Sequence, residues 1–198
     1  MSEQMTIASD RAASLGPGRL ILVVGPSGAG KDTLLSLARA ACADDRNIVF
    51  PRRAVTREAS AFEDNVQVSR DAFDQELKQD AYAMHWQAHG HCYGVPRAID
   101  DEIRAGRTVI VNVSRTVIGA MRRTYADVIV VSITAPPQVL AERLAMRARG
   151  SDGRLEQRLG RNVEDAATAP DVTISNVGSA EYHARQFVRI VRGERWDE

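Results

Sequence analysis

The segment Gly25-Pro26-Ser27-Gly28-Ala29-Gly30-Lys31-Asp32 sets three glycines and a lysine at the spacing Gly-x-x-x-x-Gly-Lys. Gly25, Gly28 and Gly30 allow the backbone to turn and to bring its N–H groups close to phosphate oxygens. Lys31 adds a point charge that reaches the outer phosphates of a nucleoside triphosphate. A continuous apolar run, Arg19–Val24, precedes the loop, and Leu34, Leu35, Leu37 and Ala38 follow it at helical spacing. A helix N-terminus itself attracts anions, so the stretch from Gly25 to Thr33 is expected to hold a nucleotide's phosphates. The residue after the lysine is ordinarily Ser or Thr, whose hydroxyl binds Mg²⁺; here it is Asp32. Thr33 does not simply replace it, since neighbouring helical residues point about 100° apart. Asp32 reads either as an anionic Mg²⁺ ligand or as an acid favoured near a helix N-terminus.

Three other groups carry candidate chemistry. Asn112, Ser114 and Arg115 follow the apolar run Thr108–Val113. Ligands of open α/β sheets gather beyond the carboxyl ends of strands. Arg115 is therefore a candidate for a phosphate, and Asn112 or Ser114 for a sugar hydroxyl; the plainer reading is a helix cap. Between Arg143 and Arg161 six arginines face only Asp152 and Glu156, a local excess of +4. Such arginines either supply forked donors to a transferring phosphoryl group or form a solvated basic helix. His85, His89 and His91 alternate along a strand-like segment. No fourth ligand has zinc spacing, so His85-Trp86 is read as pocket lining and zinc is expected to be absent.

The elements that must position these residues alternate. Strands are expected at Arg19–Val24, Ile48–Phe50, Thr108–Val113, Val128–Ile133 and Val172–Ile174, with short ones in Tyr82–Tyr93. Helices are expected at Lys31–Ala43, Ser69–Lys78 with Ser69 as N-cap, Pro96–Ala105, Arg115–Tyr125, Pro136–Arg147, Leu155–Ala166 and Ala180–Arg192. This order predicts an α/β fold with a mainly parallel central sheet flanked by helices. Residues 1–18, with Gly16, Pro17 and Gly18, read as a mobile tail, and 19–198 as a single domain.

Length and charge bound the function classes. The chain has 198 residues, 44% of them hydrophobic, enough for one substantial core. Its 26 basic and 26 acidic residues cancel, which disfavours a nucleic-acid binder with a basic surface. Only Lys31 and Lys78 are lysines. No apolar run approaches the roughly 20 residues of a membrane helix, and the N-terminus lacks the pattern of a secretory signal. Cys42 and Cys92 have no metal or redox spacing and read as reduced packing residues. The cytoplasm is the expected compartment.

The loop Gly25–Lys31 resembles that of the guanylate kinase superfamily, and the similarity runs over roughly residues 19–192. Val55-Thr56-Arg57 resembles the family's acceptor-phosphate segment, and Tyr93-Gly94 its Tyr-Gly turn. Arg143-Leu144-x-x-Arg147 and Arg158-Leu159 are similar to its lid, and Ser175-Asn176 to its nucleotide-base loop. The resemblance implies a P-loop kinase with a small acceptor-binding insert at about 52–95 and an Arg-rich lid at about 147–158. Four positions depart from the guanylate kinase pattern. The second arginine position is Ser60 and the phosphate-binding tyrosine position Asn65; the guanine-reading glutamate position is Met84 and that of its assisting aspartate Ser114. Leaving guanine's donors buried and unpaired would cost about 1–3 kcal/mol, so the acceptor is not expected to be a guanine nucleotide.

The combination of Asp32, Thr56-Arg57…Ser60, His85-Trp86…Tyr93-Gly94-Val95 and Val111-Asn112…Ser114-Arg115 resembles the ribose 1,5-bisphosphate phosphokinases of bacterial phosphonate breakdown. In that family an aspartate after the lysine is normal. The resemblance implies ATP and Mg²⁺ as cofactors and a small sugar phosphate as partner; a homodimer stays open. It implies that Lys31, Arg147 and Arg158 act on the transferring group. Gly25 to Thr33 and Asn176 would hold the nucleotide, Asp32 the metal, and Arg57, Tyr93, Asn112, Ser114 and Arg115 the acceptor. Two alternatives are a nucleoside monophosphate kinase and a non-catalytic module that binds phosphorylated protein; the intact Lys31 and its glycines disfavour the second.

Overall fold

The structure is a computed structural model and describes residues 14–58, 64–148 and 168–194. Five parallel strands form the central sheet: β1 (Leu15–Val24), β2 (Ile48–Val49), β7 (Thr108–Asn112), β8 (Tyr125–Thr134) and β9 (Val172–Ser175), in the order β2-β7-β1-β8-β9. β1 lies at the centre, which explains its unbroken apolar run: a strand covered on both faces has no solvent side. Ile21 and Val23 pack on one face against α1 (Lys31–Ala41) and α6 (Ala180–Arg192). Leu20, Leu22 and Val24 pack on the other face against α3 (Ile99–Arg104) and α4 (Ile118–Thr124). Among the described residues no helix is long and apolar enough to cross a membrane.

A second sheet of four strands forms the insert. Its strands are β3 (Arg53–Val55), β4 (Asn65–Gln67), β5 (Tyr82–Ala88) and β6 (His91–Pro96), in the order β4-β3-β6-β5. The helix α2 (Arg70–Lys78) covers part of it, with Ser69 Oγ accepting from the Ala72 amide as the expected N-cap. Phe73 stacks on Tyr82 at 4.7 Å and, with Ala54 and Cys92, makes the insert's own small core. The other face is shared: Met84, Trp86 and Val95 join the core under β1. The insert is thus fastened to the sheet by apolar packing while β3 faces the end of β7.

Several boundaries differ from those expected. β1 begins at Leu15, so residues 15–18, expected in a mobile tail, belong to the central strand; Leu15 pairs with Tyr125 across a register irregularity that accommodates Gly16, Pro17 and Gly18. Pro96 does not open a helix. It closes β6 opposite Tyr82, and the Arg97 amide donates to Ala81 O (2.8 Å), so α3 starts only at Ile99. The helix expected over Arg115–Tyr125 is a 3-10 turn, Arg115–Val117, followed by α4, and Tyr125 already belongs to β8. Strands β3 and β4 were too short for a periodicity to show. Cys42 and Cys92 are free and buried. The helix expected at Leu155–Ala166, and Arg158 with it, lie outside the described residues.

Candidate active site

The phosphate loop runs from the end of β1 into α1. Gly25 has φ 146°, and a Cβ there would lie 1.9 Å from the carbonyl oxygen of Ile133 in β8. Gly30 is the N-cap of α1, with φ 85°, and no side chain caps the helix. The first turn of α1 therefore presents backbone N–H groups to a ligand, an arrangement suited to anions. Lys31 Nζ donates to the carbonyls of Gly25 and Pro26, at 2.9 Å each, so its charge is held over the loop. The Ala29 amide closes the turn on Pro26 O at 3.3 Å.

Two residues distant in sequence brace this loop from behind. The buried Asn176 donates from Nδ2 to Ala29 O (2.7 Å) and from its backbone N–H to Thr134 O (2.7 Å). Arg143, on α5 (Pro137–Ala148), donates to Gly28 O (3.4 Å) and to Asn176 O (3.1 Å). Asn176 was expected to help hold the nucleotide; its backbone N–H and C=O engage Thr134 and Arg143, and its side-chain amide shapes the phosphate loop. Arg147 stands in the last turn of α5, four residues beyond Arg143.

Beside the loop a cleft of about 130 Å³ opens between α1, the end of β7 and the insert; Asp32, Arg39, Arg53, Asp64, Asn65 and Asn112 are among its walls. Asn112 Nδ2 donates to Asp32 Oδ1 at 3.2 Å, which joins the phosphate-loop helix to β7. Arg53 donates from one terminal nitrogen to Asn112 O (2.9 Å) and from Nε to Asn65 Oδ1 (3.2 Å). Its guanidinium lies 5.9 Å from the centre of the Tyr93 ring, and Tyr93 in turn stacks on Trp86 at 5.3 Å with the planes 4° apart. Asp64 pairs with Arg39 and with Arg52 (2.7 Å). The hydrogen bond from Arg39, helped by both positive charges, holds its carboxyl below the usual aspartate range.

Thus the structure brings Lys31, Asp32, Asn112 and Tyr93 to one region. Arg57 follows β3, where Thr56 is fixed by exchanging hydrogen bonds with the backbone of Cys92 (2.8 and 3.1 Å). Ser114 takes the plainer of its two readings: its Oγ accepts from the Thr116 amide (3.4 Å) and caps the 3-10 turn. Arg115 is exposed on that turn. Arg39 and Asp64 were not foreseen as site residues, and Asn65 was noted only as the residue standing at the family's phosphate-binding tyrosine position.

Among the described residues no group of three or more His, Cys, Asp or Glu side chains is placed to hold a metal ion. Mg²⁺ needs no such cage: it is commonly bound through one or two carboxylates, phosphate oxygens and water. Asp32, half-buried beside the loop with only one oxygen engaged by Asn112, fits that mode.

The model of the guanylate kinase family matches residues 17–182. A ribose 1,5-bisphosphate phosphokinase PhnN of Bradyrhizobium diazoefficiens is 62% identical over 198 residues, covering 100% of both chains. Its namesake in Rhodopseudomonas palustris is 58% identical over 191 residues, 96% of this chain and 97% of that one. A solved guanylate kinase from Anaplasma phagocytophilum superposes with a TM-score of 0.61 at 22% identity, covering 91% of this chain and 86% of that one. The last similarity concerns the fold alone.

Proposed function

The chain belongs to the guanylate kinase family and, within it, to the ribose 1,5-bisphosphate phosphokinases; on that premise we propose that it transfers the γ-phosphoryl group of ATP to the 1-phosphate of ribose 1,5-bisphosphate, giving 5-phospho-D-ribosyl 1-diphosphate and ADP. The observation that carries this choice of acceptor is the position of Met84. Where a guanine-reading carboxylate would be needed, Met84 is buried in apolar contact with the core of the sheet. The cleft beside the phosphate loop carries the guanidinium groups of Arg39 and Arg53 and the amides of Asn65 and Asn112, which suit phosphates and hydroxyls, while its two carboxylates, Asp32 and Asp64, are engaged by Asn112 and by Arg39 and Arg52.

The accepting oxygen belongs to a phosphate that is already anionic near neutral pH. No side chain has to remove a proton from it, so the task is to hold donor and acceptor in line and to offset charge. The amides from Gly25 to Thr33 cradle the donor phosphates, and Lys31 neutralises the outer ones. Asp32 holds Mg²⁺, which supplies Lewis-acid charge compensation when bound. Arg57 binds the reacting phosphate of the acceptor, and Tyr93 and Asn112 shape the sugar's place. Arg147 and Arg158 give forked donors to the transferring group.

The test is ADP release from ATP–Mg²⁺ with ribose 1,5-bisphosphate and GMP compared side by side. The bisphosphate should be used at least 100-fold more efficiently, the order expected when donors that a site must pair are left unmatched. Fast turnover of GMP with none of the bisphosphate would overturn the proposal.

A further inference from the structure

We infer that Asp32 and Asn112 form one metal pair with exchanged parts: α1 supplies the carboxylate for Mg²⁺, and Asn112, at the end of β7, is the neutral positioning residue that fixes it. The inference rests on the reading of the chain as a kinase that uses ATP–Mg²⁺, and it names the residue on which that metal contact depends. In P-loop enzymes Mg²⁺ is held by the loop's Ser or Thr hydroxyl together with an aspartate from elsewhere in the site. Here the hydroxyl position is Asp32. The strand end that faces it supplies no acid, since Thr108 to Arg115 contains neither Asp nor Glu. Asn112 stands there instead, with its Nδ2 at 3.2 Å from Asp32 Oδ1. The pair keeps one negative charge and one neutral partner, each moved to the other's side.

Asn112 is itself held firmly. It lies at the carboxyl end of β7, in register with Val23 of β1, just before the phosphate loop. The Val113 amide donates to Val23 O (3.0 Å), and Arg53 donates to Asn112 O (2.9 Å). With the backbone fixed on both sides, Nδ2 engages one oxygen of Asp32 and leaves the other for a ligand. A hydrogen-bonded partner behind a metal ligand orients it and strengthens its hold. Nδ2 is thereby committed to Asp32, and Oδ1 is what Asn112 has left for a sugar hydroxyl. An aspartate at 112 would instead set two carboxylates in contact, where both cannot easily stay ionised. The alternatives in the cleft are engaged or turned away. Asp64 pairs with Arg39 and Arg52, and Thr33, beside Asp32, is exposed.

The experiment measures ATP binding by calorimetry, in EDTA and in excess Mg²⁺, for the wild type, Asp32→Ser, Asn112→Leu and the reciprocal double variant Asp32→Ser/Asn112→Asp. The ratio of the two dissociation constants reads the metal's contribution apart from the rest of the nucleotide site, and melting temperatures monitor the fold. The ratio should fall about 10-fold in Asn112→Leu, the lower end of what losing a partner behind a metal ligand costs. It should fall at least as far in Asp32→Ser and recover in the double variant, which restores one carboxylate and one hydroxyl. A merely structural Asn112 would weaken ATP equally with and without Mg²⁺. An unchanged ratio in Asn112→Leu, or a double variant as low as Asp32→Ser alone, would overturn the inference. If Asn112→Leu is poorly folded, the double variant decides by the same comparison. A wild type that shows the metal-dependent ratio but releases no ADP with ribose 1,5-bisphosphate would overturn the functional reading alone, a result distinct from a ratio that Asn112→Leu leaves unchanged.

Discussion

Lys31 is one of two lysines in the chain, and its ammonium is held on the carbonyls of Gly25 and Pro26. A group that meets developing phosphoryl charge is worth far more in the transition state than in folding. Lys31→Ala should therefore cut turnover by about 10²–10³-fold while leaving the melting temperature nearly unchanged; wild-type rates would remove the donor role. This residue was legible because the loop is local, with every participant within seven positions. Arg53 was only one of two adjacent arginines in the sequence. Its standing comes from Asn65 and Asn112, 12 and 59 residues away, which no spacing rule connects. The same holds for Asn176, whose partner Ala29 is 147 residues distant.

At the scale of elements, the unit that matters is strand β1, the loop and helix α1, braced by the Asn176 turn and Arg143. Gly30 shows how closely these fit. Its φ is 85°, and a Cβ would meet Asn176 Nδ2 at 2.3 Å. Gly30→Ala combines an unfavourable backbone region with a clash against a buried amide, so it should cost about 1–3 kcal/mol of stability. It should also weaken ATP–Mg²⁺ binding, measured by calorimetry, because the displaced Asn176 no longer supports Ala29. Unaltered melting and affinity would show that the brace is dispensable. The α/β alternation and most helices were readable from periodicity and from caps such as Ser69. The short strands β3 and β4 were not, since three residues carry no period. Pro96 misled because a proline suits the first turn of a helix and the end of a strand equally well; its pairing opposite Tyr82 decides the matter.

Across the whole molecule, the balance of 26 against 26 charges is an average of opposed regions. Three arginines within residues 52–57 lie beside the acidic stretch 63–80, which holds six acids and two bases. The structure joins these stretches: Asp64 meets Arg39 and Arg52, and Asn65 meets Arg53, so part of the opposed charge is neutralised inside the cleft. What remains is a compact polar site on the rim of an apolar double-sided sheet, open to a small phosphorylated sugar. The measurement that tests this account most directly is phosphorus NMR of the product formed from ATP, Mg²⁺ and ribose 1,5-bisphosphate. The account predicts coupled diphosphate resonances on a ribose that keeps its 5-monophosphate signal, appearing in step with ADP. A diphosphate built at the 5 position, or ADP formed with free phosphate and an unchanged sugar, would contradict it.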